Sequence, residues 1–127
     1  MNTTVGQAGE YLTAGILIDL GLQVMVSPTE GCDLLAFDRD RYWRVEVKTS
    51  SQLEKNNRFA YRFSVARGSR KKRYLTKDTC DIVALCALPL RKTIFRRVEE
   101  VNALNVRVYE DEYFEGCERT TWKVATS

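Results

Sequence analysis

The sequence contains no histidine. That absence excludes Ser-His-Asp and Cys-His catalysis, zincin-type metal sites and nuclease mechanisms that depend on a histidine base. The four cysteines, Cys32, Cys80, Cys86 and Cys117, form no CxxC pair, so the usual zinc ligand patterns are missing and buried, reduced thiols are expected. Long hydrophobic runs are missing too. The longest, residues 14–22, is interrupted by Asp19, is too short to cross a bilayer and follows no basic segment. A soluble cytoplasmic protein is the expectation, and carboxylate-and-metal chemistry is the catalytic route that survives.

A 44% hydrophobic content in 127 residues suffices for one domain, 1–127, with a core that requires no staples. There is no repeat and no low-complexity region. The net charge of +3 is modest but unevenly placed, because "ARGSRKKR" carries Arg67, Arg70, Lys71, Lys72 and Arg73. Such a cluster is either a solvated loop or a set of contacts to a phosphate backbone.

The most informative stretch is "GCDLLAFDRDRYWRVEVKTS", residues 31–50. Two apolar, β-branched and aromatic runs flank the charged turn Asp38-Arg39-Asp40, which is the pattern of a β-hairpin. Alternation along its second strand puts Trp43, Val45 and Val47 on one face and Arg44, Glu46 and Lys48 on the other. Glu46 and Lys48 then lie roughly 6–7 Å apart along one side, with Asp33 placed to face them from the preceding strand. Asp33, Glu46 and the Val47 carbonyl are hard oxygen donors of the kind Mg²⁺ takes. Lys48 suits the orientation of an attacking water. The alternative for Glu46 and Lys48 is an exposed charge pair on a half-buried hairpin.

Elsewhere, residues 3–20 read as a helix with Thr3 or Thr4 as cap and Gly21 as stop. Val5, Leu12, Ile16 and Leu20 form the stripe expected to pack on the sheet. Thr3, Gln7, Glu10 and Ala14 form another, which makes Glu10 a candidate extra acid for the metal site. Residues 22–27 and 59–65 read as strands, the latter with Phe59, Tyr61, Phe63 and Val65 on one face and Arg62 and Ser64 on the other, available to nucleic acid. Residues 74–79 read as a turn or short helix. "CDIVALCAL" reads as a strand buried on both faces, residues 92–98 as the next strand and residues 99–104 as a short helical segment. Residues 106–127 are weakly patterned, with a final strand expected near residues 121–124.

The ordered set "VGQAGEYLTAGILIDLGLQV", "GCDLLAF" and "RVEVKTSS" resembles the PD-(D/E)XK nucleases, in particular the small branch with archaeal Holliday junction resolvases and intron-encoded homing endonucleases. Glu10 matches the helix acid of that family, Asp33 its first motif acid, and Glu46 with Lys48 its E-x-K. Cys32 stands where the family name has proline. The resemblance implies an α/β fold, a restriction-endonuclease-like sandwich whose mixed central sheet is flanked by helices in an αβββαβ core. It further implies DNA as partner, Mg²⁺ as cofactor with Mn²⁺ as substitute, and a homodimer or higher oligomer.

The resulting expectation is a metal-dependent DNA endonuclease, with no organic cofactor and no membrane partner. Asp33, Glu46, Val47 and Glu10 serve the metal, Lys48 the water, and Gln7, Arg62 and the basic run the DNA. A four-way junction is the leading substrate and a site-specific duplex the alternative, for which Gln52, Lys55, Asn56 and Asn57 supply donors to base edges. A non-catalytic nucleic-acid-binding protein is the reading from another class.

Overall fold

The computed structural model describes residues 3–28, 31–65 and 74–127. The order is α1 (Thr3–Asp19), β1 (Gln23–Val26), β2 (Leu34–Asp38), β3 (Arg41–Ser50), β4 (Ala60–Ser64), β5 (Ile82–Ala87), β6 (Lys92–Arg97), β7 (Asn105–Tyr109) and α2 (Cys117–Ala125). Five strands make one sheet in the order β1-β2-β3-β5-β6, and β4 pairs with β7 in a separate ribbon. The β3–β5 pairing is parallel, whereas β1–β2, β2–β3 and β5–β6 are antiparallel. The sheet is therefore mixed, and its parallel pair lies at the centre. Basic residues 67–73 lie outside the described residues.

Period-two alternation divides the core into two layers. Val45, Val47, Ile82, Ala84, Cys86 and Phe95 pack with Leu17 of α1 and with Trp122 and Ala125 of α2. From the other face, Val83, Leu85, Ala87 and Ile94 pack with Tyr61, Phe63 and Val108 of the ribbon. β5 is buried at every position, as its unbroken apolar run predicts. All four cysteines are free and buried. Burial pushes the Cys80 and Cys117 thiols up to about 12, so they act as small core residues. Among the described residues, no helix is long and apolar enough to cross a membrane.

Three sequence expectations are corrected. The innermost positions of α1 are Gly9, Thr13 and Leu17, while Leu12, Ile16 and Leu20 of the expected stripe pack on the same core layer from beside them, partly buried. Gly9 lets the helix settle onto β3, since a Cβ there would collide with the Thr49 side chain. Phe59 precedes β4 and is 73% exposed, because its N–H is turned onto Asn57 Oδ1 at 3.2 Å. Residues 121–124 belong to α2: Cys117, Trp122 and Ala125 are buried at helical spacing. Thr121 stabilises that conformation by donating to Cys117 O at 2.7 Å while accepting from Phe95 N at 3.0 Å. Tertiary packing thus overrides the β-branched composition of "TTWKV".

The parallel pair is fastened at one end by Arg44 and Asp81. Their guanidinium and carboxylate meet twice, at 3.1 and 2.9 Å, and Asp81 also accepts from Arg44 N at 2.9 Å. Arg44 further donates to the carbonyls of Lys77 and Asp78 at 2.6 and 3.1 Å, which ties the turn before β5 to β3. Arg44→Ala should therefore cost about 1–3 kcal/mol, read as a lowered urea midpoint. A loss below about 0.5 kcal/mol would mean that water replaces these hydrogen bonds without penalty.

Candidate active site

The hairpin β2–β3 turns tightly, with Asp38 paired to Arg41 and Arg39 at φ 61°. At the other end its ladder changes. The strand register places Leu34 opposite Val45, yet Asp33 N also donates to Val45 O at 2.9 Å. The next N–H of β3 on that edge, Val47 N, is taken by the Asp33 carboxylate at 2.7 Å. A side chain thus replaces a strand carbonyl just where β2 peels away from β3. Because a strand residue presents its N–H and C=O to the same edge, the Val47 carbonyl opens on the Asp33 side.

Glu46 and Lys48 lie on the face opposite Val45 and Val47, as alternation predicts, and pair at 3.2 Å. Burial and then the Asp33 charge push the Glu46 carboxyl up to about 7, with Lys48 opposing the shift. Glu10 on α1 is also raised, first by burial and then by Asp33. Asp33 is consequently the common neighbour of two acids that arrive from different layers. Gln7 lies exposed one helical turn before Glu10. The structure brings together Asp33, Glu46 and Lys48 with the backbone of Val47, and sets Glu10 within electrostatic reach of Asp33.

Among the described residues no group of three acidic or thiol side chains is drawn together closely enough to hold a metal ion. In this arrangement Glu46 is engaged by Lys48 and Asp33 by Val47 N. The donor chemistry nevertheless fits a hard divalent cation: mutually repelling carboxylates and a backbone carbonyl are the oxygen ligands such ions take. Asp33, Glu46 and the Val47 carbonyl would hold it, with Glu10 nearby. Such a cation supplies a lowered pKa for bound water and polarisation of a phosphoryl oxygen.

Just beyond Lys48, a cleft of about 460 Å³ opens where β3 ends, lined by Thr49, residues 50–56 and Arg62. Arg62 and the loop donors Gln52, Lys55 and Asn56, all expected from sequence to meet DNA, come together along this cleft. Arg107, which stands opposite Arg62, is absent from that expectation. The alternation in "NVRVY" is the signal that could have found it.

The whole chain superposes on I-Ssp6803I, a bacterial homing endonuclease, with a TM-score of 0.78 at 15% identity, covering 100% of this chain and 97% of that one. The two share a fold. A Holliday junction resolvase, Hjc of the archaeal hyperthermophile Archaeoglobus fulgidus, matches with a TM-score of 0.54 at 19% identity over 96% of each chain. No protein-family model matches the sequence, and no curated protein does. The likeness therefore rests on tertiary structure, and the restriction-endonuclease-like α/β architecture implied by the family resemblance is the one observed.

The Glu46 shift has a measurable sign. With its carboxyl raised to about 7 from an ordinary 4.5, the folded state holds a proton that the unfolded state releases. This stabilisation is full below the unfolded pKa and is lost as pH rises through about 7. Without divalent cations, Glu46→Gln should match wild type in Tm near pH 4 and exceed it by roughly 3–8 °C at pH 8. An equal Tm difference at both pH values would show that Glu46 bears no such charge penalty.

Proposed function

We propose that the protein is a metal-dependent DNA endonuclease that hydrolyses phosphodiester bonds. The observation that carries this reading is the convergence of Asp33 and Glu46 beside Lys48, with Asp33 occupying the ladder position at Val47. Asp33, Glu46 and the Val47 carbonyl hold Mg²⁺, for which Mn²⁺ substitutes, and Glu10 assists. Lys48, restrained beside Glu46, orients the attacking water and offsets negative charge developing on the phosphate. Gln7 contacts the phosphate or the water. The likeness to a homing endonuclease and a junction resolvase supports DNA as substrate in either of two forms, a duplex site or a four-way junction.

Asp33→Asn, Glu46→Gln and Lys48→Ala should each abolish Mg²⁺-dependent cleavage while leaving DNA affinity largely intact. A labelled four-way junction and a pool of duplexes with randomised sequence, with and without Mg²⁺, provide the assay. Near-normal turnover in any of the three variants would overturn the site assignment. Binding without cleavage by wild type would favour a non-catalytic nucleic-acid-binding protein.

Arg67, Arg70, Lys71, Lys72 and Arg73 enter this reading from sequence, as cations that meet phosphates. Neutralising two of them should weaken binding to every DNA and flatten the slope of log affinity against log salt by about 0.9 for each duplex phosphate no longer neutralised. Saturated turnover should change much less; a fall in turnover with affinity and slope unaltered would remove the segment from the DNA clamp. Assembly as a homodimer or higher oligomer is supported by exposed apolar side chains on α1 and edge strand β1, with Tyr11 59% and Ile18 56% exposed. Leu17 of the same helix is buried and adds nothing to that surface.

A further inference from the structure

The β4–β7 ribbon is polar on its outer face in a way that its packing does not require. Tyr61, Phe63 and Val108 seal the inner face against the sheet. On the outer face the register sets Arg62 opposite Arg107 and Ser64 opposite Asn105, and all four are exposed. Like charges directly opposite one another destabilise a strand pair. One carboxylate serves both: Glu54 takes Arg107 Nε and Nη2 at 2.7 and 2.8 Å. Arg107 holds the Glu54 carboxyl below its ordinary range, and Arg62 adds to that effect more weakly. Two guanidinium groups against one carboxylate leave a net positive centre, to which Lys55 and Arg58 on the adjoining loop add exposed cations.

Glu54, Arg62, Asn105 and Arg107 line a depression of about 360 Å³. Arg62 also lines the cleft that begins at Thr49, the residue after Lys48, so the outer face of the ribbon is continuous with the end of the candidate active site. A two-stranded ribbon is of a size that enters the B-DNA major groove. Its side chains have the chemistry of base edges: Arg forks match guanine O6 and N7, and an Asn amide matches adenine N6 and N7. Consecutive outward rows lie about 7 Å apart along the strands, close to two base-pair steps. The acidic turn Glu110–Glu112 follows Tyr109 and disfavours phosphate at that end, which directs DNA toward the Arg62/Arg107 and Ser64/Asn105 rows.

We propose that the β4–β7 ribbon reads base edges in the major groove of duplex DNA, through Arg62 and Arg107 with Asn105 and Ser64. This rests on the endonuclease reading and deepens it, since it makes the substrate a duplex recognised by sequence. Glu54 acts by positioning: it fixes the Arg107 fork before DNA arrives, which limits the side-chain freedom given up on binding.

The test is selection from a randomised duplex pool by cleavage in Mg²⁺, with affinity measured for the selected sequence and for an unrelated duplex. Wild type should select a motif containing guanine. Arg62→Ala and Arg107→Ala should each relax one guanine position and weaken binding of the selected sequence about 5- to 100-fold, with a smaller loss on the unrelated duplex. Arg107→Lys keeps the charge without the fork. It should relax the same position as Arg107→Ala while sparing the unrelated duplex. Arg62 is exposed, so its variant reports independently of any packing change at Arg107. Equal losses on both duplexes with an intact motif would make the ribbon a phosphate-binding surface and overturn the proposal, as would no change in either. Junction-only cleavage without sequence preference would overturn the ribbon reading and leave the endonuclease standing. A wild type that neither binds nor cuts any DNA would overturn both.

Discussion

The Asp33 carboxylate occupies a place on the edge of β3 that a strand carbonyl would otherwise fill, and the arrangement of the site depends on that substitution. By accepting from Val47 N at 2.7 Å it satisfies a backbone donor that β2 leaves unpaired as it turns aside. An unpaired buried N–H would cost about 1–3 kcal/mol. The same hydrogen bond fixes an anion beside the partly buried Glu46, whose carboxyl rises to about 7. A structural hydrogen bond and the charge at the candidate site are thus one feature: β2 can begin only at Leu34 because the side chain of the residue before it continues the ladder.

Concentrating acids this way is costly to an empty site and useful to a liganded one. Glu10 and Glu46 both feel Asp33, and Lys48 offsets only part of the charge. A divalent cation would exchange mutual repulsion for coordination, which is how strain at a functional centre is commonly retained. The remainder of the fold holds this centre in place. Arg44 and Asp81 tie β3 to β5 on one side, and Gly9 brings α1 down against Thr49 on the other.

The two layers divide these tasks. The helical layer contributes Glu10 and buries the Val45/Val47 face. The ribbon layer packs on the other face, and its Arg62 borders the cleft at the end of β3. The candidate site therefore sits at the seam between layers, and the surfaces flanking it come from strands far apart in sequence.

Much of this was legible without coordinates. Alternation in "RYWRVEVKTS" assigned the faces of β3 and the unbroken run in "CDIVALCAL" marked β5 as central, while the restriction-endonuclease-like fold was implied by a family resemblance carried by Glu10, Asp33, Glu46 and Lys48; the first two are signals read from the residues themselves. These signals are local and follow from periods of 2 and 3.6 residues. The register shift at Asp33, the approach of Gly9 to Thr49, the Arg44–Asp81 clamp and the Arg62–Arg107 opposition were decided by tertiary structure, because each joins segments whose separation carries no periodic signal. The same cause made α2 of a stretch whose own preference was for a strand: Trp122 lies edge-on against Phe95 and Trp43, and burying it there outweighs the few tenths of a kcal/mol per residue by which β-branched side chains resist a helix.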